Sequence, residues 1–408
     1  MDKVRKTKVK IHMKKKILIV SDSLNMGGLE KCLINVCDNL DYDKYEVDLY
    51  LFNEGRTLLP QLNQNVTLLP DSPYYRDVYN LSILTSLKML LKKRKFKLAW
   101  YRIVRFLRIR FRDYKYRDSD WNIMKKTMLH LEKKYDVAIG FAEGTSCYYV
   151  ANCVNADVKI GWIHTDLKKV DHNRKLDQEA FERLDHVATV SQNSLNSLIE
   201  LHPTCKEKFV CIKLPGLMDY KTINELSKEP NLMIEKEGMI KILSVGRLVE
   251  LKGFHLCVEP CRRLVDEGYE IKWYVAGEGD YRGEIEAEIE KYDLKDHFIL
   301  LGNCSNPYTY MNSADICVQP SSYEGYSVAV FEEKYFKKAV VVTNIPSNLE
   351  MIIDKENGLV VERNSEAIYH AVKYLLSDEK SRENMGSTPV KNAINNLEIM
   401  KQVEVLFQ

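Results

Sequence analysis

One pattern constrains this 408-residue chain more than any other, and it starts twice. Lys16-Ile17-Leu18-Ile19-Val20-Ser21 reads as a buried strand, and Asn25-Met26-Gly27-Gly28 as a loop. Leu29, Cys32, Leu33, Val36, Cys37 and Leu40 then recur at helical spacing. At Ile240-Lys241-Ile242-Leu243-Ser244-Val245 the order begins again, with a loop bounded by Gly246 and Gly253 and a helix predicted over 254–267. Strand, glycine loop, amphipathic helix is the opening of a parallel α/β domain, because parallel strands need a crossover to return the chain. Two openings predict two domains, which agrees with about 150 residues per domain.

Further strands are expected at 47–52, 66–69, 137–141, 159–163 and 186–190, with a last one at 211–216 leading into a linker. In the second series strands are expected at 272–276, 297–301, 316–319 and 340–343, with a helix at 282–292. The reading is an α/β chain of two Rossmann-like domains facing a central cleft, with a boundary near 218. Residues 1–217 form the first domain and 218–385 the second, and a C-terminal helix at 386–403 packs back on the first. Ligands in such sheets lie beyond the carboxyl ends of the strands, which places the site in the cleft. The last five residues, Glu404-Val405-Leu406-Phe407-Gln408, resemble a protease remnant of a removed tag and are set apart from the fold. Whether residues 1–12 are native is left open.

Charge sharpens this picture. Lys plus Arg is 60 and Asp plus Glu 58, a net +2. Yet residues 88–117 hold 13 basic side chains and one acid, and residues 1–16 hold eight and one, so the remainder stands at −17. An acidic body with two basic segments is not a generally polybasic protein. Within the larger segment Trp100, Ile103, Val104, Leu107 and Phe111 share a helical face. Lys92, Lys93, Arg94, Lys95, Arg102, Arg105, Arg108 and Arg112 flank it. A basic amphipathic helix suits an anionic membrane surface. A cationic helix covering the first core is the other reading. Nucleic acid is set aside, because the rest of the chain is acidic. No C-x-x-C occurs among the ten cysteines, no signal peptide is recognised, and no apolar run approaches ~20 residues. The expectation is a cytoplasmic protein with reduced thiols.

Two loops carry the chemistry. In Gly246-Arg247-Leu248-Val249-Glu250-Leu251-Lys252-Gly253, Arg247 and Lys252 can converge on a diphosphate. In Pro320-Ser321-Ser322-Tyr323-Glu324-Gly325-Tyr326-Ser327-Val328, a helix starting near Ser327 offers free N–H groups to phosphate. Glu324 and Glu332 could accept hydroxyls of a sugar and a ribose. The alternatives are a plain basic turn, a capping acid and a surface acid. His164 stands at a strand end after Gly161-Trp162. Asp118-Ser119-Asp120 spells a D-x-D motif but follows the basic stretch, so it reads as a helix start, and no metal site is expected.

In order and spacing these segments resemble glycosyltransferase family four, the large retaining family of GT-B fold. The match rests on Gly27-Gly28-Leu29-Glu30, Trp162-Ile163-His164-Thr165-Asp166, Val190-Ser191, Gly246-Arg247 with Lys252-Gly253, and Gly277-Glu278-Gly279. It continues through Gly302, Ala314-Asp315, Pro320-Ser321 to Glu332, and Asn357-Gly358-Leu359-Val360. Asn306-Pro307-Tyr308-Thr309-Tyr310-Met311 is similar to members that build bacterial surface polysaccharides. The resemblance runs from about residue 14 to 385.

What it implies is specific. Arg247 and Lys252 would bind the donor diphosphate. Glu324 would contact the transferred sugar and Glu332 the ribose. Backbone N–H groups of Tyr326, Ser327 and Val328, beside Gly325, would hold the distal phosphate. Asn303 and Cys304 would lie by the base. Gly28 would approach the donor phosphate, with Gly27 and Asp166 on the acceptor side. His164 would hydrogen-bond the reacting sugar. No cofactor is implied, the donor being a nucleotide sugar, a UDP-sugar first. The acceptor would be a lipid-linked glycan at the inner membrane face. A small soluble acceptor, or a silent paralogue binding a partner subunit, are the alternatives. Ser327 replaces the usual glycine of the family, and Glu333 stands where a small residue is common.

Overall fold

A computed structural model of the chain describes residues 13–408 apart from 26, 73, 112–120, 234, 235, 237 and 392. Its first half holds β1 (Lys15–Ser21), β2 (Tyr45–Leu51), β3 (Val66–Leu68), β4 (Tyr135–Gly140), β5 (Ala156–Ile163), β6 (His186–Thr189) and β7 (Phe209–Cys211). Among the described residues these pair in the order β3-β2-β1-β4-β5-β6-β7, every pair parallel. The second half holds β8 (Ile240–Val245), β9 (Ile271–Ala276), β10 (Phe298–Gly302), β11 (Ile316–Gln319), β12 (Ala339–Thr343) and β13 (Leu359–Val361). Their order is β10-β9-β8-β11-β12-β13, again all parallel. In each sheet the direction of winding reverses once, between β1 and β4 and between β8 and β11. A crevice opens there beyond the strand ends. The two crevices face each other, which is the GT-B arrangement.

The central strands are apolar on both faces because helices cover both. Ile17 and Ile19 enter one core of the first domain, while Leu18 and Val20 enter the other. All four are fully buried. Each such side chain contributes roughly 1.5–3 kcal/mol.

Three expectations need correction. The strand at 211–216 stops at Cys211, and Leu214–Gly216 is a 3-10 turn with a proline in its first turn, since proline cannot donate to a ladder. The C-terminal helix does not begin at 386. Residues 386 and 387 close the helix Glu379–Ser387, and the last helix is Asn396–Val405. Setting residues 404–408 apart from the fold is also overturned. Leu406 and Phe407 are 5% and 2% exposed and complete the first core with Ile399, Met400 and Val403. Phe407 meets Tyr45 edge-on at 5.6 Å, and its carbonyl accepts from Lys15 Nζ at 3.1 Å.

The basic segment is a helical pair, Ile83–Lys92 and Phe96–Phe111. Val78, Leu90, Leu98 and Ala99 form its small core. Here the expected outward basic face is partly wrong. Arg102 is buried and donates to the Leu81 carbonyl at 3.1 Å, and the Arg105 guanidinium lies 4.9 Å over the Tyr79 ring. Both point at the protein because the short Tyr75–Tyr79 helix packs there. Phe96 and Trp100 are instead the exposed side chains, each at 64%, alongside Leu84, Leu91 and Leu107. Lys92 and Arg94 are exposed, Lys93 pairs with Asp77 at 2.5 Å, and Lys95 lies over Tyr74 at 4.8 Å. The side chains of Arg108 and Phe111, and residues Arg112 and Asp118-Ser119-Asp120, lie outside the described residues.

Candidate active site

The loops after β1, β4, β5, β8 and β11 converge on one cavity of about 850 Å³ between the domains. That is room for a nucleotide-sized ligand. The helices Gly28–Asn39 and Val328–Tyr335 begin at its floor, one from each domain. Their starts are close: a Cβ on Gly28 would stand 3.3 Å from Val328 Cγ2. Two helix N-termini aimed at one point leave N–H groups and positive dipole ends where an anion can sit. At Gly325 the hydrogen is indispensable. A Cβ there would meet the His164 carbonyl oxygen at 2.1 Å, so only glycine lets the Glu324 loop reach the first domain.

Arg247 and Lys252 both line this cavity. Gly253, at φ 71°, closes the 3-10 turn Glu250–Lys252 and directs the lysine inward. Lys252 Nζ donates to Glu324 Oε1, and Ser321 Oγ donates to the same oxygen at 2.8 Å. The two loops read from the sequence as separate signals are thus tied by one ion pair at the cavity wall.

His164 also faces the cavity. Its Nε2 is buried without a partner among the described residues, and burial pushes its imidazole down to about 3. It is therefore neutral across the physiological range, able to donate or accept a hydrogen bond but not to act as a charged acid. Asp166 does not fill its expected acceptor-side place. It is buried, caps the turn Leu167–Lys169 through the Lys168 N–H at 3.0 Å, and accepts from Asn193 Nδ2 at 3.1 Å. Its backbone N–H meets the Tyr323 hydroxyl of the second domain. Gly27 does line the cavity, as N-cap of the Gly28 helix.

Glu332 lies in the cavity wall, but its carboxylate is already engaged. Lys31 Nζ reaches across the cleft to its two oxygens at 2.9 and 3.2 Å, and the Tyr308 hydroxyl donates to Oε1 at 3.1 Å. Lys31 also sits 4.7 Å above the Tyr308 ring. Burial opposes the lysine's charge, but Glu332 outweighs it and holds the ammonium above its ordinary value. Glu333 points the other way and is fully buried, accepting from Gln319 Nε2 at 2.6 Å. Burial raises its carboxyl to about 8. Asn303, Cys304 and Tyr326 line the cavity, and burial raises the Cys304 thiol. Ser327 and Val328 line it too. Ser327 caps its helix by accepting from Val330 N–H at 3.5 Å. The Val328 N–H, expected to hold phosphate, is turned to the Tyr326 carbonyl at 3.1 Å.

Sequence reasoning missed Lys31, Glu143, Tyr308 and Tyr323. Glu143 lines the cavity and accepts from the His164 backbone N–H at 3.0 Å. Its signal was available: it follows β4 directly, at the point where the winding reverses. Lys31 and Tyr323 gave no such signal, because their partners are more than 150 residues away, and Tyr308 gave none because its role depends on Lys31 from the other domain.

Residues 228–392 match the family described as glycosyl transferases group 1. Over 213 residues the chain is 30% identical to the N-acetylgalactosamine-N,N'-diacetylbacillosaminyl-diphospho-undecaprenol 4-alpha-N-acetylgalactosaminyltransferase of Campylobacter jejuni, covering 52% of this chain and 56% of that protein. It is 26% identical over 168 residues to the capsular polysaccharide biosynthesis glycosyltransferase CapM of Staphylococcus aureus, covering 40% and 44%. The chain thus spans about half the length of the curated relatives it matches. Solved structures of similar fold extend over both domains. Anabaena Alr3699/HepE, in complex with UDP-glucose, superposes with a TM-score of 0.66 at 15% identity, covering 96% of this chain and all of that one. TarM of S. aureus gives 0.68 at 15%, covering 98% and 100%. These likenesses show the fold.

Proposed function

We propose that the chain is a retaining glycosyltransferase that moves a hexose or N-acetylhexosamine from a UDP-sugar to a lipid-linked saccharide or other envelope glycan at a membrane surface. The observation that carries this reading is the tie between Lys252 and Glu324 in a cleft where two helix N-termini meet. Cationic and N–H groups there can hold a diphosphate while a carboxylate stands ready for sugar hydroxyls. The UDP complexes of neighbours with this fold and the diphospho-undecaprenol acceptor in the Campylobacter relative's name favour the choice of donor and acceptor.

In this reading the C1–O bond to the diphosphate breaks as the acceptor oxygen attacks C1 from the same face, and the acceptor proton passes to a departing phosphate oxygen. Negative charge grows on the diphosphate, where Arg247, Lys252 and the start of the Val328 helix stabilise it. Glu324 keeps Lys252 in place through Oε1 and offers Oε2 to the sugar. Neutral His164 hydrogen-bonds the reacting sugar. Glu332 would meet the ribose only by sharing or leaving Lys31. No described helix is long and apolar enough to cross a membrane. The exposed Phe96 and Trp100, among lysines, support contact at the surface.

A donor panel tests the reading directly. One nucleotide sugar should bind by calorimetry and be slowly hydrolysed or transferred. Lys252→Ala and Glu324→Ala should each lower turnover at least 100-fold, about 2.7 kcal/mol or more of lost transition-state stabilisation. Unchanged turnover in both variants sinks the site assignment.

A further inference from the structure

Behind the cleft wall, outside the donor site, lies a cluster that the proposed chemistry does not use. His172 is in the loop before the helix Arg174–Arg183, Asp177 is on that helix, and His202 ends the helix Gln192–Leu201. One ligating atom from each lies within 4.8 Å of the other two. Asp177 and His202 are each only 2% exposed.

Hydrogen bonds fix the state of His202. Gln178 Nε2 donates to the Glu182 carboxylate and to Thr204 Oγ1, both at 2.8 Å. A carboxylate only accepts, so the amide oxygen of Gln178 is the atom facing His202 Nδ1, at 2.9 Å. Nδ1 must therefore carry the proton, which leaves a bare lone pair on Nε2. That Nε2 is buried and has no hydrogen-bond partner among the described residues. A buried unpartnered acceptor calls for an occupant. Asp177 is braced in a similar way: the Tyr148 hydroxyl donates to Oδ1 at 2.6 Å, while Oδ2 faces His172 Nδ1 at 2.5 Å. Imidazoles and carboxylates whose far atoms are anchored by a second ring of hydrogen bonds are the arrangement of metal ligands.

We propose that His172, Asp177 and His202 bind a divalent transition-metal ion, and two imidazoles with one carboxylate favour zinc. The ion replaces the proton between His172 Nδ1 and Asp177 Oδ2, and that proton moves to His172 Nε2. Ligand bonds of about 2.0–2.2 Å set tetrahedral ligand atoms about 3.4 Å apart, so His172 Nδ1 must draw back from Asp177 Oδ2, now 2.5 Å away, to admit the ion. His172, on a loop and partly exposed, can make that movement, and water takes the open fourth position. Val170, two residues before His172, lines the donor cavity. The ion would thus brace the loop that forms one cleft wall.

The test uses the full chain, stripped with chelator and titrated with zinc alone. One ion per chain should bind at micromolar Kd or tighter. His172→Ala and His202→Ala should each weaken it at least tenfold. Cobalt should give visible bands without thiolate charge transfer, because the chain's ten cysteines are the competing ligands. Zinc should raise the melting temperature of the wild type but not of the variants. If His202→Ala proves unfolded by circular dichroism, His172→Ala and Gln178→Leu, at less buried positions, decide the matter. No tight ion on the folded wild type, or equal affinity in the folded variants, overturns the proposal and leaves a buried water as the occupant.

Discussion

His164, half-buried with its Nε2 shut off from solvent, and the fully buried Glu333 are titratable groups with opposite consequences. His164 is neutral when folded, with its imidazole at about 3 against an ordinary 6.5. Its depressed value makes the unfolded chain bind more protons below pH 6.5. Stability therefore falls as pH drops from about 6.5 toward 3, by about 1.4 kcal/mol per unit. His164→Gln should flatten that limb in urea unfolding at pH 7 and pH 5. Equal slopes in the two proteins would refute the burial argument. Glu333 is protonated when folded up to about 8, against 4.5 unfolded. Its stabilising share is complete below pH 4.5 and is lost as pH rises toward 8. Glu333→Gln keeps the Gln319 contact and removes the titration. It should raise the melting temperature at pH 8 and leave it nearly unchanged at pH 5. At this scale the sequence was legible where a residue type announces its chemistry, as at Arg247, Lys252 and Glu324. It was not legible for Asp166, whose type suits a site but whose oxygens cap a turn and bind Asn193.

Among the elements, the strands were read almost completely, because buried parallel strands are short apolar runs between loops. The basic helical pair was only half read. Helical spacing showed that a face exists, but not which side meets the protein. Arg102 and Arg105 turned inward because the Leu81 carbonyl, just past the Tyr75–Tyr79 helix, and the Tyr79 ring on it give them partners to meet. Phe96→Ser with Trp100→Ser should lower partition onto phosphatidylglycerol-containing vesicles at least tenfold in sedimentation. Arg102→Glu should instead lower the melting temperature, since it puts a carboxylate against the Leu81 carbonyl. Vesicle binding untouched by the double change would remove the membrane reading.

For the whole molecule, what matters is how the two domains meet. Lys31 from the first domain and Glu332 and Tyr308 from the second form a bridge across the donor cleft. Removing one partner of a mostly buried pair leaves the other uncompensated. Lys31→Met should lower the melting temperature by several degrees and change nucleotide-sugar KM more than kcat, because Glu332 loses its orienting cation. An unchanged melting temperature and KM would mean the bridge is incidental.

The sequence by itself determined two parallel α/β domains, the loops at their strand ends, and the cationic and acidic residues on those loops. Local spacing carries such facts, since hydrophobic period and glycine position act over a few residues. Only the tertiary structure decided which groups meet across the cleft, that Leu406 and Phe407 belong to the first core, and that His172, Asp177 and His202 share one buried pocket. Those facts depend on long-range packing, which brings together side chains that no local pattern relates.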